Sequence, residues 1–299
     1  MQILTFVTPQ PSPDFDMWIK KSYPDILIEN RVILDNRAVQ WIIKKPIAKD
    51  VLDYIRKEFR VDVFQSSQGQ DIKLFMADMD STMISGESLD DMADMLGIGG
   101  KIATITARAM AGELDFEEAL VKRVSMLRGM PATLIDQAVN AIQYNRGARE
   151  LLTHLKSKNI YSVLVSGGFT QFTRAVATEL GFDDHFGNEL IVGAPFNKND
   201  IAFLGHQSPI ICPPEDMVLM GEVARPILDK NFKLKKMTEL QKSMIISSEN
   251  TMAIGDGAND LPMLQGAGMG IAYYGKPLLQ DALINRIEYT DLSSLIYIV

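Results

Sequence analysis

The chain contains one cysteine, Cys212, among its 299 residues, so no disulfide can form within it. A lone cysteine also cannot build a structural zinc site, and nothing in the sequence around it indicates an activated thiol. We therefore predict that Cys212 is chemically inert.

The sequence also lacks a long uninterrupted hydrophobic run. No stretch approaches the roughly 18 apolar residues that a transmembrane helix needs. The short apolar segment at residues 3–7 has no basic residue before it and is followed almost at once by Pro9, which does not fit a secretory signal. We therefore predict a cytoplasmic protein that does not bind membranes.

An excess of positive charge is absent as well. The 30 lysines and arginines and the 38 acidic residues give a formal net charge of −8, which disfavours a general nucleic-acid or anionic-membrane binder. With 46% hydrophobic and 23% charged residues, the composition is typical of a soluble globular protein of this length, which suggests about two domains at roughly 150 residues each. An acidic protein that handles an anionic substrate needs local cations.

Residues 1–68 alternate between strand-like and helix-like patterns in the order β-α-β-β-α-β. Asp35-Asn36 suits the turn between the two middle strands, because both residues tolerate positive φ, and Pro46 suits a position just before a helix. This order predicts a small ferredoxin-like α+β domain, followed by a linker in the polar stretch 66–70. The unit resembles the small ACT-like regulatory domains that bind amino acids or mediate dimers in related phosphatases, although this topology hosts many functions.

Residues 71–299 show a different pattern. Four apolar runs, at residues 72–77, 160–165, 251–254 and 269–272, predict buried parallel strands and therefore an α/β sheet. About 75 residues of helical pattern separate the first two runs, which is too long for a simple crossover and predicts a helical cap at about 85–145.

Three of these strands run directly into polar clusters. The clusters are Asp78-Met79-Asp80-Ser81-Thr82, Ser166-Gly167-Gly168 and Gly255-Asp256-Gly257-Ala258-Asn259-Asp260. Ligands bind at the carboxyl ends of the strands in open α/β sheets, so we expect the three clusters to form one site.

The residue types in these clusters suit phosphoryl transfer through a covalent aspartyl-phosphate. Asp78 and Asp256 are hard-oxygen ligands for Mg²⁺, which would offset the repulsion between a carboxylate and a phosphate ester. Asp80 lies beside Asp78. The negative charge of Asp78 tends to keep Asp80 protonated, which suits Asp80 to act as a general acid. Ser166 and the glycine N–H groups after it, at the start of a helix, form an anion cradle.

Together with a downstream lysine, the three clusters resemble the four motifs of the haloacid dehalogenase superfamily. Glu87, the run at 110–116 and Lys122-Arg123-Val124 extend the resemblance to its phosphoserine phosphatase branch. The resemblance covers residues 71–295. It implies a Rossmann-like core with an inserted four-helix cap, one Mg²⁺, and hydrolysis of O-phospho-L-serine, the last step of serine biosynthesis.

The resemblance also implies a role for each matching residue. Asp78 would be the nucleophile and a metal ligand, and Asp80 would be the acid/base and bind the metal through its backbone carbonyl. Asp256 would be the third metal ligand, with Asp260 in the outer shell. The implied phosphate or substrate contacts of the core are Ser166, Gly167 and Asn259.

Four cap residues match positions that recognise the amino acid portion of the substrate: Glu87, Met110, Phe116 and Arg123. A zwitterionic amino acid requires an anion for its ammonium group and a fork-shaped cation for its carboxylate, and Glu87 and Arg123 supply this pair.

Three lysines are candidates for the lysine motif: Lys233, Lys235 and Lys236. We predict Lys235, because the apolar residues after it indicate a helix that begins near it; Lys233 is the alternative. Either would neutralise charge on the aspartyl-phosphate.

The chain departs from the family pattern at residues 193–215. Where the family makes a short hairpin before the strand that carries Gly221-Glu222-Val223, this chain has an insert that includes His206 and Cys212. Two ligands do not make a metal site, so we predict a surface excursion that affects contacts in a homodimer or access to the cleft. We interpret His154 and His185 as structural.

The sequence leaves two other functions open. One is a sibling phosphatase or phosphotransferase that acts on another small phosphomonoester, such as phosphohomoserine. The other is a regulatory binding module whose N-terminal domain senses an amino acid while the core is idle. The presence of Asp78, Asp80 and Asp256 argues against the second.

Overall fold

The computed structural model describes residues 1–12, 14–110, 113–195 and 216–299. His206, Cys212 and most of the predicted insert lie outside these ranges. Within them, no helix has the length and apolar character needed to cross a membrane.

The N-terminal unit is an antiparallel sheet with two helices. Its elements are β1 (Gln2–Val7), α1 (Phe15–Ser22), β2 (Ile28–Ile33), β3 (Ala38–Ile43), α2 (Lys49–Phe59) and β4 (Asp62–Ser67). The strand order is β2-β3-β1-β4, which is the ferredoxin-like arrangement that the sequence predicted. The polar stretch 66–70 is only partly a linker, because Ser66 and Ser67 pair with β1 as the end of β4.

The core is a parallel sheet of six strands in the part of the chain that is described. They are β5 (Leu74–Ala77), β6 (Tyr161–Phe169), β7 (Asp184–Asn188), β10 (Thr251–Gly255), β11 (Met269–Tyr273) and β12 (Asn285–Ile287), in the order β12-β11-β10-β5-β6-β7. The helices of this region are α7 (Ala148–Ser157), α8 (Thr170–Leu180), α9 (Lys230–Met244), α10 (Leu261–Gly266) and α11 (Pro277–Ala282). Because β5 pairs with both β10 and β6, the carboxyl ends of the three strands that carry the polar clusters are neighbours.

The cap consists of four helices among the described residues. They are α3 (Ser88–Met95), α4 (Gly99–Met110), α5 (Phe116–Ser125) and α6 (Thr133–Ala141). Two paired connecting segments join the cap to the core: Ser85 N–H donates to the Gln143 carbonyl (2.9 Å) and Asn145 N–H donates to the Met83 carbonyl (3.0 Å). The side chain of Asn145 also donates to the Thr82 carbonyl (2.8 Å), so the cap is fixed at its base.

The hairpin of the family is retained beside the insert. Strands β8 (Leu190–Gly193) and β9 (Val218–Val223) pair antiparallel, so the insert lengthens the connection between them rather than replacing the hairpin. Leu219 in β9 exchanges backbone hydrogen bonds with Gly129 and Met130 of the cap (2.8 Å each). The contact between the hairpin and the cap is therefore present despite the insert.

A polar joint connects the N-terminal unit to the core. The buried carboxylate of Asp62 accepts N–H groups of Glu288 (2.8 Å) and Thr290 (2.9 Å). Nearby, Arg286 forms an ion pair with Asp53 (2.6 Å). These contacts attach β4 and α2 to the segment around β12.

Candidate active site

A buried lysine links two aspartates at the carboxyl edge of the sheet. Asp78 follows β5, and its Oδ1 accepts a hydrogen bond from Lys233 Nζ at 2.5 Å; Asp260 Oδ1 accepts from the same nitrogen at 2.6 Å. Burial raises the pKa of Asp78 well above its usual range, the charge of Asp260 adds to this, and Lys233 opposes it. Burial alone would lower the pKa of Lys233, but the two aspartates outweigh it and hold that pKa above its usual value.

The prediction of Lys235 as the site lysine is wrong in position, because Lys233 occupies that place and Lys235 is exposed. Helix α9 begins at Lys230 and is capped by Asp229, so Lys235 is not at its start. Lys233 lies one turn before the buried Met237 and shares its face, whereas Lys235 is rotated about 200° from Lys233 around the helix.

Asp80 lies between the cap and the second polar cluster. Its Oδ1 accepts the Ser88 N–H (2.8 Å), and its Oδ2 accepts the Ser166 hydroxyl (3.1 Å). Ser166 in turn accepts the Gly168 N–H (2.8 Å), and a Cβ on Gly168 would lie 3.0 Å from Asp80 Oδ2. Burial raises the pKa of Asp80, while the hydrogen bonds from Ser88 and Ser166 oppose that shift. Burial thus shifts this carboxyl toward its protonated form, next to the anion cradle.

Three carboxylates form a cluster that fits a hard cation. Oxygen atoms of Asp78, Asp256 and Asp260 lie within 4.8 Å of one another. Both oxygens of Asp260 accept hydrogen bonds, from Lys233 (2.6 Å) and from the Gly257 N–H (3.0 Å). The donor chemistry of Asp78 and Asp256 suits Mg²⁺, which prefers carboxylate oxygens.

One cavity of about 340 Å³ lies between the core and the cap. It brings together most of the residues that the sequence singled out, namely Asp78, Asp80, Glu87, Phe116, Arg123, Ser166, Gly167, Asp256 and Asn259. The side chain of Met110, at the end of α4, lies outside the described part of the structure.

The cap side of the cavity carries Glu87, Phe116 and Arg123. Glu87 is exposed to solvent, yet the protein atoms around its carboxyl group and the charge of Asp80 raise its pKa to about 7. Its Oε1 accepts the Ser81 hydroxyl (2.9 Å). Arg123 is mostly buried, which lowers the pKa of its guanidinium. The Phe116 ring lies over the cradle, because a Cβ on Gly167 would come within 3.1 Å of it.

Sequence reasoning missed two charged residues of this cavity, Lys276 and Asp90. Lys276 Nζ lies 3.4 Å from Asp256 Oδ2. It lies three residues after the end of β11, the fourth predicted strand, and this position at a carboxyl end was the available signal. Asp90 comes three residues after Glu87 at the start of α3, and this helical spacing was the available signal.

The two described histidines take no part in the cavity. His185 Nδ1 lies 3.0 Å from the Thr173 hydroxyl, and His154 Nε2 lies 3.4 Å from the Val299 carbonyl. Neither side chain lines the site.

Comparison with known proteins places the core in a family. The model for haloacid dehalogenase-like hydrolases matches residues 75–265. A phosphoserine phosphatase from Archaeoglobus fulgidus is 35% identical over 230 residues, which is 77% of this chain, and the chain spans 60% of the length of that relative.

Solved structures extend the similarity to the whole chain. A HAD family hydrolase from Salmonella enterica subsp. enterica serovar Typhi has a TM-score of 0.82 at 27% identity, covering 99% of this chain and 98% of that one. A structure described as a phospho-aspartyl intermediate analogue of phosphoserine phosphatase has a TM-score of 0.64 at 32% identity, covering 77% of this chain and 99% of that one. With its motifs meeting at one edge of a parallel sheet under an inserted cap, the chain belongs to the haloacid dehalogenase-like hydrolases.

Proposed function

We propose that the protein is a Mg²⁺-dependent phosphoserine phosphatase, which hydrolyses O-phospho-L-serine to L-serine and phosphate in the last step of serine biosynthesis. One observation carries the proposal: a single cavity joins a phosphate-binding end, at Asp78 and Ser166, to a cap end with opposite charges, at Glu87 and Arg123. The names of the similar proteins support the same substrate.

The core residues supply the chemistry of two successive displacements. A carboxylate oxygen of Asp78 attacks phosphorus, the bond from phosphorus to the serine oxygen breaks, and Asp80 gives its proton to the leaving oxygen. Asp80 then takes a proton from a water molecule, whose oxygen attacks the phosphorus of the aspartyl-phosphate. Phosphate leaves, the Asp78 carboxylate is restored and Asp80 is protonated again.

Cations make this attack possible between two anions. Lys233 opposes the effect of burial through the 2.5 Å contact, which favours the ionised, nucleophilic form of Asp78, and it offsets charge on the phosphoryl group. When bound by Asp78, Asp256 and the carbonyl of Asp80, Mg²⁺ would neutralise further negative charge on the phosphate. The N–H groups after Ser166 donate hydrogen bonds to the phosphate oxygens.

The cap residues select the amino acid portion. In our proposal Glu87 accepts the substrate ammonium group and Arg123 binds the carboxylate with two parallel N–H donors. Phe116, which lies over Gly167, packs against the substrate backbone and shields the phosphate end from water.

A phosphate-release assay tests the proposal. With Mg²⁺, we expect the highest kcat/KM for O-phospho-L-serine, a lower value for phosphohomoserine and the lowest for O-phosphoethanolamine, which has no carboxylate. The Asp78→Asn variant should release no phosphate, and turnover by it would refute the nucleophile assignment.

The other outcomes separate the alternatives. Preference for phosphohomoserine would indicate the sibling phosphatase, and Arg123→Ala should not affect any substrate that lacks a carboxylate. Release of no phosphate from any substrate in the presence of Mg²⁺ would instead favour a binding module with an idle core.

A further inference from the structure

We propose that Asp90 is a positioning residue, which orients the Arg123 guanidinium toward the substrate carboxylate. The proposal rests on the function proposed above. Asp90 lies in the first turn of α3 and Arg123 near the end of α5, and both line the cavity. Their charges are opposite, and they face each other across the cap end of the site.

Two buried atoms of this pair have no hydrogen-bond partner within the described ranges. They are Asp90 Oδ1 and Arg123 Nε. Arg123 Nη1 lies 4.0 Å from Asp90 Oδ1, which is close enough for attraction between charges but too long for a hydrogen bond. Buried polar atoms without partners are rare in folded proteins, so the pair indicates a contact that forms when the site is occupied.

The other carboxylates near Arg123 are already engaged. Glu87 accepts the Ser81 hydroxyl, and Asp80 accepts hydrogen bonds from Ser88 and Ser166. Asp90 Oδ1 is therefore the carboxylate oxygen best placed to hold Arg123.

The shape of arginine explains how one side chain can serve both partners. The guanidinium is planar and has five N–H donors in a fixed fork. If Asp90 binds one edge of the fork, the other edge keeps two parallel donors for the carboxylate of the substrate. A shift of less than one ångström between the two side chains brings the Asp90 contact to hydrogen-bond distance.

Steady-state kinetics on two substrates test the proposal in the full-length enzyme. O-phospho-L-serine and O-phosphoethanolamine differ by the carboxylate that Arg123 would bind. We expect Asp90→Asn to lower the ratio of their kcat/KM values by about tenfold, which corresponds to one charge-assisted hydrogen bond at the low end of its range. The loss should come mainly from a higher KM for phosphoserine, and Asp90→Glu should restore part of it.

Two further variants make the test specific. Asp91→Asn changes the neighbouring carboxylate of α3, which is exposed and does not line the cavity, and it should keep the wild-type ratio. The double variant Asp90→Asn with Arg123→Gln should be no worse than Arg123→Gln alone, because Asp90 acts through Arg123.

The outcomes distinguish this inference from the proposed function. If the wild type prefers phosphoserine and Arg123→Gln loses the preference while Asp90→Asn keeps it, the role of Asp90 is refuted and the function stands. An equal loss on both substrates, or additive effects in the double variant, would also refute it. If the wild type shows no preference for phosphoserine, both proposals fail.

Discussion

Replacement of Lys233 by methionine tests the electrostatics of the site. Methionine fills most of the lysine volume but removes the ammonium group that lies 2.5 Å from Asp78 and 2.6 Å from Asp260. All three side chains are at most 6% exposed, so the variant leaves two carboxylates buried together without their shared cation. Removing one partner of a buried ion pair costs about 3–5 kcal/mol.

We therefore expect the free energy of unfolding of Lys233→Met to be about 3–5 kcal/mol lower than that of the wild type when both are measured in EDTA, without Mg²⁺. The decrease should be smaller in excess Mg²⁺, because a bound cation would offset part of the carboxylate repulsion. Phosphatase activity should fall by roughly 100- to 1,000-fold, as for the loss of one electrostatic contact to a transition state.

Urea titration followed by far-UV circular dichroism measures this change. Tryptophan fluorescence is less suitable, because both tryptophans, Trp18 and Trp41, lie in the N-terminal unit. Lys235→Met is the matched control: its side chain is exposed, and we expect a change within about 0.5 kcal/mol. Equal losses in the two variants, or wild-type stability and activity in Lys233→Met, would refute the reasoning.

Three other changes give separate tests. Because burial and the charge of Asp80 raise the pKa of Glu87 to about 7, Glu87 gains its negative charge as the pH rises through that value, so kcat/KM for phosphoserine should increase there. Glu87→Gln should lose this increase, and identical profiles would contradict the assignment. Gly168→Ala should lower kcat by roughly 10- to 100-fold in phosphate-release assays, because its Cβ would crowd Asp80; a wild-type rate would contradict this geometry. Asp62→Ala should lower the free energy of unfolding by about 3 kcal/mol in urea titration, since it leaves the N–H groups of Glu288 and Thr290 unpaired, whereas unchanged stability would argue against the joint.

Much of the site could be predicted because most of its reactive side chains lie directly after the strands of the sheet. Asp78, Ser166 and Asp256 each follow a buried apolar run, and parallel strands bring their carboxyl ends to one edge of the sheet. That rule needs no knowledge of side-chain contacts.

The lysine could not be assigned in the same way. Its identity depends on the rotation of α9, which begins at Lys230 after the Asp229 cap, five residues before the predicted start at Lys235. A helix with several lysines looks similar in any rotation, and only its packing against Asp78 selects Lys233. Likewise, the sequence does not distinguish Asp90 from an ordinary acidic residue in a first helical turn. Only the packing of α5 places Arg123 opposite it.

Chemical trapping of the intermediate tests the central claim most directly. The wild-type enzyme is mixed with Mg²⁺ and O-phospho-L-serine, quenched in acid during turnover and treated with borohydride, which reduces an aspartyl-phosphate to homoserine. Mass spectrometry of the peptide that contains Asp78 should then show homoserine at position 78, and omission of substrate should leave aspartate there. Homoserine at another aspartate, or unmodified Asp78 while phosphate is released, would contradict the account.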